Sequence, residues 1–199
     1  MPRAKQRTPE LRDRLVRVAV GMLESDGVAA FTTRRVAAGA ATSTPAVYEL
    51  FGDKAGLVRE IFFEGFRLLR RYLDTVPASA DPRADLIALA GAVRRFARDN
   101  RVLTDVMFSQ PFADFDPAPA EAEAGRAVRE FVTGRVQRAI DAGVLAGDAT
   151  DNAHVLLALT LGLAGAENAS RLGTSQASVD RRWALGIESA LDGLARRHG

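Results

Sequence analysis

The sequence predicts an all-α fold, a small basic head of three to four helices on a larger helical body, and three observations carry that prediction. No segment sustains the apolar–polar alternation with turn pairs that marks strands and hairpins. Apolar residues recur instead at three- and four-residue spacing, the period of a helix with one buried face. Between these periodic segments lie prolines, glycines and capping residues, which start and stop helices.

In chain order, Thr8-Pro9-Glu10 is a helix start: a capping hydroxyl, proline at the first helical position and a carboxylate in the first turn. Leu11, Leu15, Val18 and Met22 then line one face, and Asp26-Gly27 ends the helix. Two short helices follow within Thr32 to Lys54, and a longer one runs from about Lys54 through Leu57, Ile61, Phe62, Leu68 and Leu69 to Leu73. The stretch TVPASADPRAD, Thr75 to Asp85, has two prolines and little to bury, and reads as the domain boundary. Asp81-Pro82 opens a helix carrying Leu86, Leu89, Val93 and Phe96. SQPFADFDPAPAEAEAG is the second irregular region; after it, helices are expected at about Glu121 to Ala142, Thr150 to Arg171 and Ser178 to Arg197. This places a small head before that boundary and a larger helical body over residues 76–199, with no internal repeat.

Composition narrows the functional class. The chain has 199 residues, 47% of them hydrophobic, enough for a sizeable core. It has no cysteine, which rules out disulfides and thiolate chemistry and suits a reducing compartment. The basic start MPRAKQR is not followed by an apolar run, so it does not read as a signal peptide. The longest apolar stretch, Val155 to Ala166, falls short of the ~20 residues a membrane helix needs. A soluble cytoplasmic protein with no membrane partner is expected. Residues 1–72 hold 13 Lys and Arg against 8 Asp and Glu, whereas 73–199 hold 14 against 17. A basic first third on a slightly acidic body suggests that the head meets a polyanion.

The stretch TTRRVAAGAATSTPAVYELFGDK, Thr32 to Lys54, is the most informative. Two short helices joined by a tight turn form either a plain core corner or a DNA-reading helix-turn-helix. Thr32 can cap the first, leaving Thr33 and Arg34 on a first turn whose free N–H groups suit a phosphate oxygen. Ser43, Thr44, Pro45 and Ala46 start the second, where a recognition helix touches base edges. Val36, Ala37, Val47 and Phe51 are the inward face.

These residues resemble the DNA-binding head of the TetR family of bacterial transcriptional regulators. Its pattern is roughly Thr-x-x-x-(Ile/Val)-Ala, Ala-Gly-Val-Ser, (Leu/Val)-Tyr-x-(His/Tyr)-Phe and a Lys. The chain supplies Thr32, Val36-Ala37, Ala40-Ala41-Thr42-Ser43, Val47-Tyr48-Glu49-Leu50-Phe51 and Lys54 without a gap. The resemblance covers about residues 8–69, with the helix-turn-helix at 32–51. It implies phosphate contacts from Thr33 and Arg34, groove contacts from Ser43, Thr44, Pro45 and Ala46, a phosphate-binding phenol at Tyr48, and a cation at Lys54. Three departures stand out. Ala41 occupies the turn position where the family has Gly, and is strained if that residue needs a positive φ. Thr42 replaces a buried Val. Leu50 replaces His or Tyr, next to Glu49, a carboxylate on or near the DNA face.

In the body, DNAHVLLALTLGLAGAENASRLG is apolar on all sides with many small residues, so its helix is expected to be buried and closely approached. The last helix places Val179, Trp183, Ile187, Leu191 and Leu194 about one turn apart. The resemblance implies that the last two helices form a four-helix bundle with a second subunit, with Trp183 and Leu191 in the seam. Packing within one chain accounts for the same stripe. The region partly resembles TetR C-terminal domains with a Trp-His-Gly triplet, here Thr160-Leu161-Gly162.

Phe96, Met107, Phe108, Phe112 and Phe115 gather near Pro111 and Pro117 and are the candidates for an apolar ligand pocket, in a stretch that does not read as a well-packed helix. Core packing beneath a loop explains them equally. With Asp105, Asp114 and Asp116 nearby, a cationic or neutral guest is expected. No cofactor or metal site is expected: no phosphate-binding or dinucleotide glycine motif occurs, and the only histidines are His154 and His198. The resulting expectation is a regulator, not an enzyme, most simply a repressor that binds a palindromic double-stranded operator as a homodimer and releases it on binding an unidentified small molecule. A regulator without a small ligand, controlled by a protein partner or constitutive, is the alternative, and an all-α enzyme the remote one.

Overall fold

A computed structural model describes residues 9–108 and 125–195. Among the described residues it contains nine α-helices and no strand. We number them α1 (Pro9–Asp26), α2 (Thr33–Gly39), α3 (Thr44–Phe51), α4 (Lys54–Asp74), α5 (Pro82–Asp99), α6 (Arg101–Phe108), α7 (Arg126–Asp141), α8 (Ala149–Asn168) and α9 (Gln176–Ala195). The capping hydroxyl expected at Thr8 lies outside the described residues. The chain divides into two compact units, residues 1–67 with 100–124, and 68–99 with 125–199. The division falls inside α4 and puts α6 with the N-terminal helices, whereas the sequence division placed residues 76–199 together.

In the first unit α1 buries Leu11, Leu15, Val16, Ala19 and Leu23. Val18 and Met22, expected on that face, are half-buried on its flank. Val18 marks instead where α2 closes on α1: a Cβ on Gly39 would lie 2.8 Å from its Cγ1. Leu15, Phe31, Val36, Val47, Leu57 and Ile61 are each 1% exposed or less. Burying such side chains contributes about 1.5–3 kcal/mol apiece.

The corner from α3 into α4 has no room for a side chain at Gly56, whose Cβ would stand 1.8 Å from the Phe51 carbonyl oxygen. Asp53 caps α4, its carboxylate accepting the Gly56 amide at 2.7 Å. Met107 and Phe108, expected in irregular chain, end a regular helix, α6. That helix is held by packing and by a cap from afar. The Leu103 amide donates to Glu24 of α1 at 3.2 Å. A Cβ on Gly65 of α4 would come within 2.4 Å of the Met107 sulfur.

The second unit is organised around α8, which packs against α5, α7 and α9. Asp148 caps it, accepting from Thr150 at 2.8 Å and Asp151 at 2.9 Å. The all-round burial expected for α8 does not occur. Asn152, Leu156, Thr160 and Ala164 face inward, whereas Val155, Ala158, Gly162 and Gly165 face out.

The stripe on α9 is likewise reassigned. Trp183, Ile187 and Leu191 are no more than 5% exposed within the single chain, so the expected intersubunit seam at Trp183 and Leu191 is core of this unit. Trp183 Nε1 donates to Glu167 of α8 at 2.6 Å. Arg94 of α5 donates to the same carboxylate at 2.7 and 3.0 Å, and its guanidinium lies 5.0 Å from the Trp183 ring centroid. One carboxylate thus joins three helices, a charge-assisted hub that the residue pattern did not disclose.

Candidate functional site

The α2–α3 turn is built by local chemistry. Thr32 caps α2 as expected, its hydroxyl accepting the Arg35 amide at 3.3 Å. At the far end the Ala41 amide bonds the Ala38 carbonyl at 3.0 Å and the Thr42 amide the Ala37 carbonyl at 2.9 Å. These are the paired bonds of a Schellman ending, which requires a left-handed residue between them. Ala41 supplies it, with φ +52°. The chain then re-enters extended geometry at Ser43, φ −102° and ψ 152°, the N-cap of α3. Thr44 and Pro45 occupy its first turn, where proline forfeits no helical hydrogen bond.

Side-chain placement separates the candidates. Pro45, Arg34 and Lys54 are exposed, and Ser43 and Thr44 half-exposed. Ala46 is 4% exposed and packs inward with Val47, so its side chain does not present itself to a groove, contrary to the residue-by-residue resemblance. Thr33, expected to meet phosphate, is 9% exposed, and its hydroxyl lies 3.3 Å from the Tyr48 hydroxyl. If Thr33 donates into the phenol oxygen, the phenol hydrogen points outward for a phosphate acceptor. Tyr48 is 47% exposed, a large aromatic presented to solvent at the middle of α3.

The two arginines of α2 are not equivalent. Arg35 forms an ion pair with Asp26 and donates to the Ala30 carbonyl at 3.0 Å. The Ser25 hydroxyl and then the Arg35 guanidinium hold the Asp26 carboxyl below its ordinary 3.8. Arg34 projects outward beside it. Lys54 stands 5.7 Å from the Phe31 ring centroid, at the start of α4. The departures at Glu49 and Leu50 lie on α3, exposed and half-buried respectively. Leu50 also gives its carbonyl to Arg12 at 3.3 Å. This surface offers the start of α3, an exposed phenol and two exposed cations, the kinds of group that contact a duplex backbone and groove.

The expected pocket residues do not share a compact unit. Phe96 is fully buried in the second unit, edge-on to Tyr72 at 5.6 Å. Met107 and Phe108 belong to the first, where Phe108 meets Phe66 at 5.9 Å. Phe112 and Phe115 lie outside the described residues, as do Asp114 and Asp116. The second unit contains a narrow apolar slot that the sequence did not suggest, with a cavity volume of about 40 Å³. Leu86, Leu89 and Val93 of α5, Leu156 of α8 and Ile187 of α9 line it, and Thr160 is its sole polar side chain. Helical spacing flagged several of these as core, but no local signal shows that five helices leave space between them. Among the described residues no three His, Asp or Glu side chains are grouped to hold a metal ion, and no helix is long and apolar enough to cross a membrane.

Two family models match the chain: bacterial regulatory proteins of the tetR family over residues 15–61, and the tetracyclin repressor-like C-terminal domain over residues 86–190. The fold resembles a protein of unknown function from Rhodococcus sp. RHA1, 30% identical, with a TM-score of 0.81 over 97% of this chain and 100% of the other. It also resembles a bacterial regulatory protein in the tetR family from Rhodococcus RHA1, 21% identical, TM-score 0.69, covering 94% and 98%. A TetR variant from Acinetobacter baumannii AYE in complex with minocycline is 19% identical, with a TM-score of 0.63 over 92% and 94%. No curated protein matches the chain.

Proposed function

The chain belongs to the TetR family of bacterial regulatory proteins, and from that premise we propose that it is a cytoplasmic repressor that holds a palindromic operator as a symmetric homodimer and leaves it when a small, mostly apolar ligand enters the body. The family is one of transcription regulators with a DNA-binding helix-turn-helix, not of enzymes. The observation that carries the operator reading is the α2–α3 turn. It presents Thr44 and Pro45 at a helix start, with Tyr48 oriented by Thr33 and Lys54 close in sequence. Thr44 and Pro45 read base edges, while Arg34, Tyr48 and Lys54 fix the backbone.

Dimerisation is supported by the outer faces of α8 and α9. Leu185 is 67% and Val155 47% exposed, and Ala158, Gly162 and Gly165 continue an apolar, small-residue surface. Contiguous exposed apolar surface is a mark of an interaction site. These residues replace Trp183 and Leu191 as the seam. The ligand reading draws on the slot in the second unit, and on the similar Acinetobacter baumannii protein, whose structure is a complex with minocycline. A ligand releases DNA only through a higher affinity for the form that does not fit the operator.

Duplexes selected from random DNA and measured by fluorescence anisotropy test this reading. Affinity is expected to fall steeply with salt as counterions are released. Thr44→Ala is expected to change base preference, whereas Tyr48→Phe and Lys54→Ala weaken all duplexes by a similar factor. Leu185→Asp is expected to sediment as a monomer and to bind poorly. Failure of every selected duplex to bind at low salt would overturn the operator reading.

A further inference from the structure

The last turn of α3 is tied down from outside the helix-turn-helix. A helix leaves its final carbonyls without an intrahelical donor. In α3 the Tyr48 carbonyl takes the Gly52 amide at 2.8 Å. The Leu50 carbonyl takes the Arg12 guanidinium of α1 at 3.3 Å, from 38 positions away. The same guanidinium lies 5.1 Å from the ring centroid of Phe51, the last residue of α3. A cation at this end also opposes the negative pole of the helix dipole.

Glu60 of α4 fixes the direction of that guanidinium. Arg12 Nε donates to one Glu60 oxygen at 3.3 Å, and Nη2 pairs with the other. That leaves Nη1 for Leu50, so one planar fork serves α3 and α4 at once. All three guanidinium nitrogens face protein acceptors, so the part Arg12 plays in DNA binding is indirect. Near the start of α3 the helix is seated by Ala46 and Val47, 4% and 0% exposed. Leu50 and Phe51 at the other end are only half-buried. Apolar packing thus fixes the first half of α3, and the Arg12 tie governs its tilt about that half.

Resting on the operator reading, we propose that Arg12 is a positioning residue for sequence recognition. Held by Glu60, it sets the tilt of α3, and with it the aim of Thr44, Pro45 and Tyr48, without touching DNA.

Fluorescence anisotropy over a salt series, with a duplex selected by the wild-type chain and a random duplex, tests the inference. Arg12→Gln is expected to lower the ratio of selected to random affinity about tenfold, within the range that one mismatched base pair causes. Its affinity for the random duplex and its salt slope are expected to stay as in wild type. Arg12→Lys is the milder variant if that chain does not fold. It keeps the charge but is expected to lose discrimination as well, since a single nitrogen cannot serve Glu60 and Leu50 together. Arg12→Gln combined with Glu60→Gln is expected to lose no more than Arg12→Gln alone, because Glu60 acts through Arg12.

Weaker binding to both duplexes alike, with a salt slope smaller by about one, would make Arg12 a phosphate contact and overturn the proposal. A lower thermal midpoint with the affinity ratio intact would make it a structural tie and overturn it equally. Additive losses in the double variant would show that Glu60 does not work through Arg12, which also sinks it. Each of these leaves the operator reading standing. A wild-type chain that binds no selected duplex would remove that reading and the proposal together.

Discussion

The helix-turn-helix and the body cavity distribute their determinants in opposite ways. The surface around α2 and α3 is specified within the span Thr32 to Lys54, and its main constraints are short-range: a cap three residues away, a Schellman ending, a hydroxyl fifteen positions from its phenol. The slot draws its lining from Leu73 to Leu191, and each residue contributes only as part of a helix face. Local chemistry leaves a motif that can be read along the chain. A space between packed helices leaves only periodicity, which does not say whether the faces meet or stand apart.

The largest expected effect lies where the body is held by one long-range polar group. Glu167→Ala removes the carboxylate shared by Arg94 and Trp183, whose side chains come from α5 and α9. The Arg94–Glu167 pair is mostly buried, with side-chain exposures of 16% and 11%. Arg94 keeps Asp180 of α9 at 2.7 Å, so the loss of the Glu167 bonds is expected to cost about 1.5–3 kcal/mol in a urea titration. A loss of only about 1 kcal/mol or less would show that the hub behaves as a surface pair. The contrast with the locally built head would then shrink.

A second test separates the regions by pH. Asp85, near the start of α5, accepts from the Ser79 hydroxyl at 2.6 Å and from Arg138 at 2.8 Å. The Ser79 bonds first, and Arg138 after them, hold its carboxyl below the ordinary 3.8. The folded chain therefore binds fewer protons here than the unfolded chain once pH approaches 3.8 from above. The stabilisation is present above that value and is lost as pH falls through the lower folded value. Urea titrations are expected to show a gap between wild type and Asp85→Asn at neutral pH that narrows on acidification. A gap independent of pH would mean that ionisation of Asp85 contributes nothing to holding the 77–81 segment.

Most helices were legible because apolar periodicity and end signals agree; the exceptions share a cause. The start of α6 at Arg101 follows the end of α5 at Asp99 with no glycine or proline between them, so the two merge in a pattern search. Leu103, Val106 and Met107 did carry helical spacing after Asn100 and offered the missed signal. The stripe of Trp183, Ile187 and Leu191 was correctly seen as apolar, but a stripe does not say whether its cover is the same chain or another copy. Ala46 fits the same motif position whether it faces a groove or the core, and only packing decides. Arg94, Glu167 and Trp183 meet across 73 and 16 positions, distances at which a single sequence carries no pairing signal.

The smallest expected effect is also the sharpest comparison, because the two regions use the same device. Besides Ala41, Ser170 is a non-glycine residue with positive φ, +57°. It ends α8 as Ala41 ends α2, with Ser170 donating to Glu167 at 2.9 Å and Arg171 to Ala166 at 2.7 Å. A left-handed conformation costs an L-residue about 1–2 kcal/mol, and glycine escapes it at the expense of a more flexible unfolded chain. Ala41→Gly and Ser170→Gly are each expected to stabilise their own unit by about 0.5–1 kcal/mol, visible as a higher thermal midpoint. Only the first sits against the proposed operator surface. If both substitutions act through backbone strain alone, Ala41→Gly leaves base preference in a duplex selection unchanged. A changed preference would show that the exposed methyl of Ala41 touches DNA, or that relaxing the turn re-aims α3. Either outcome would make this departure from the family pattern part of how the head reads its site.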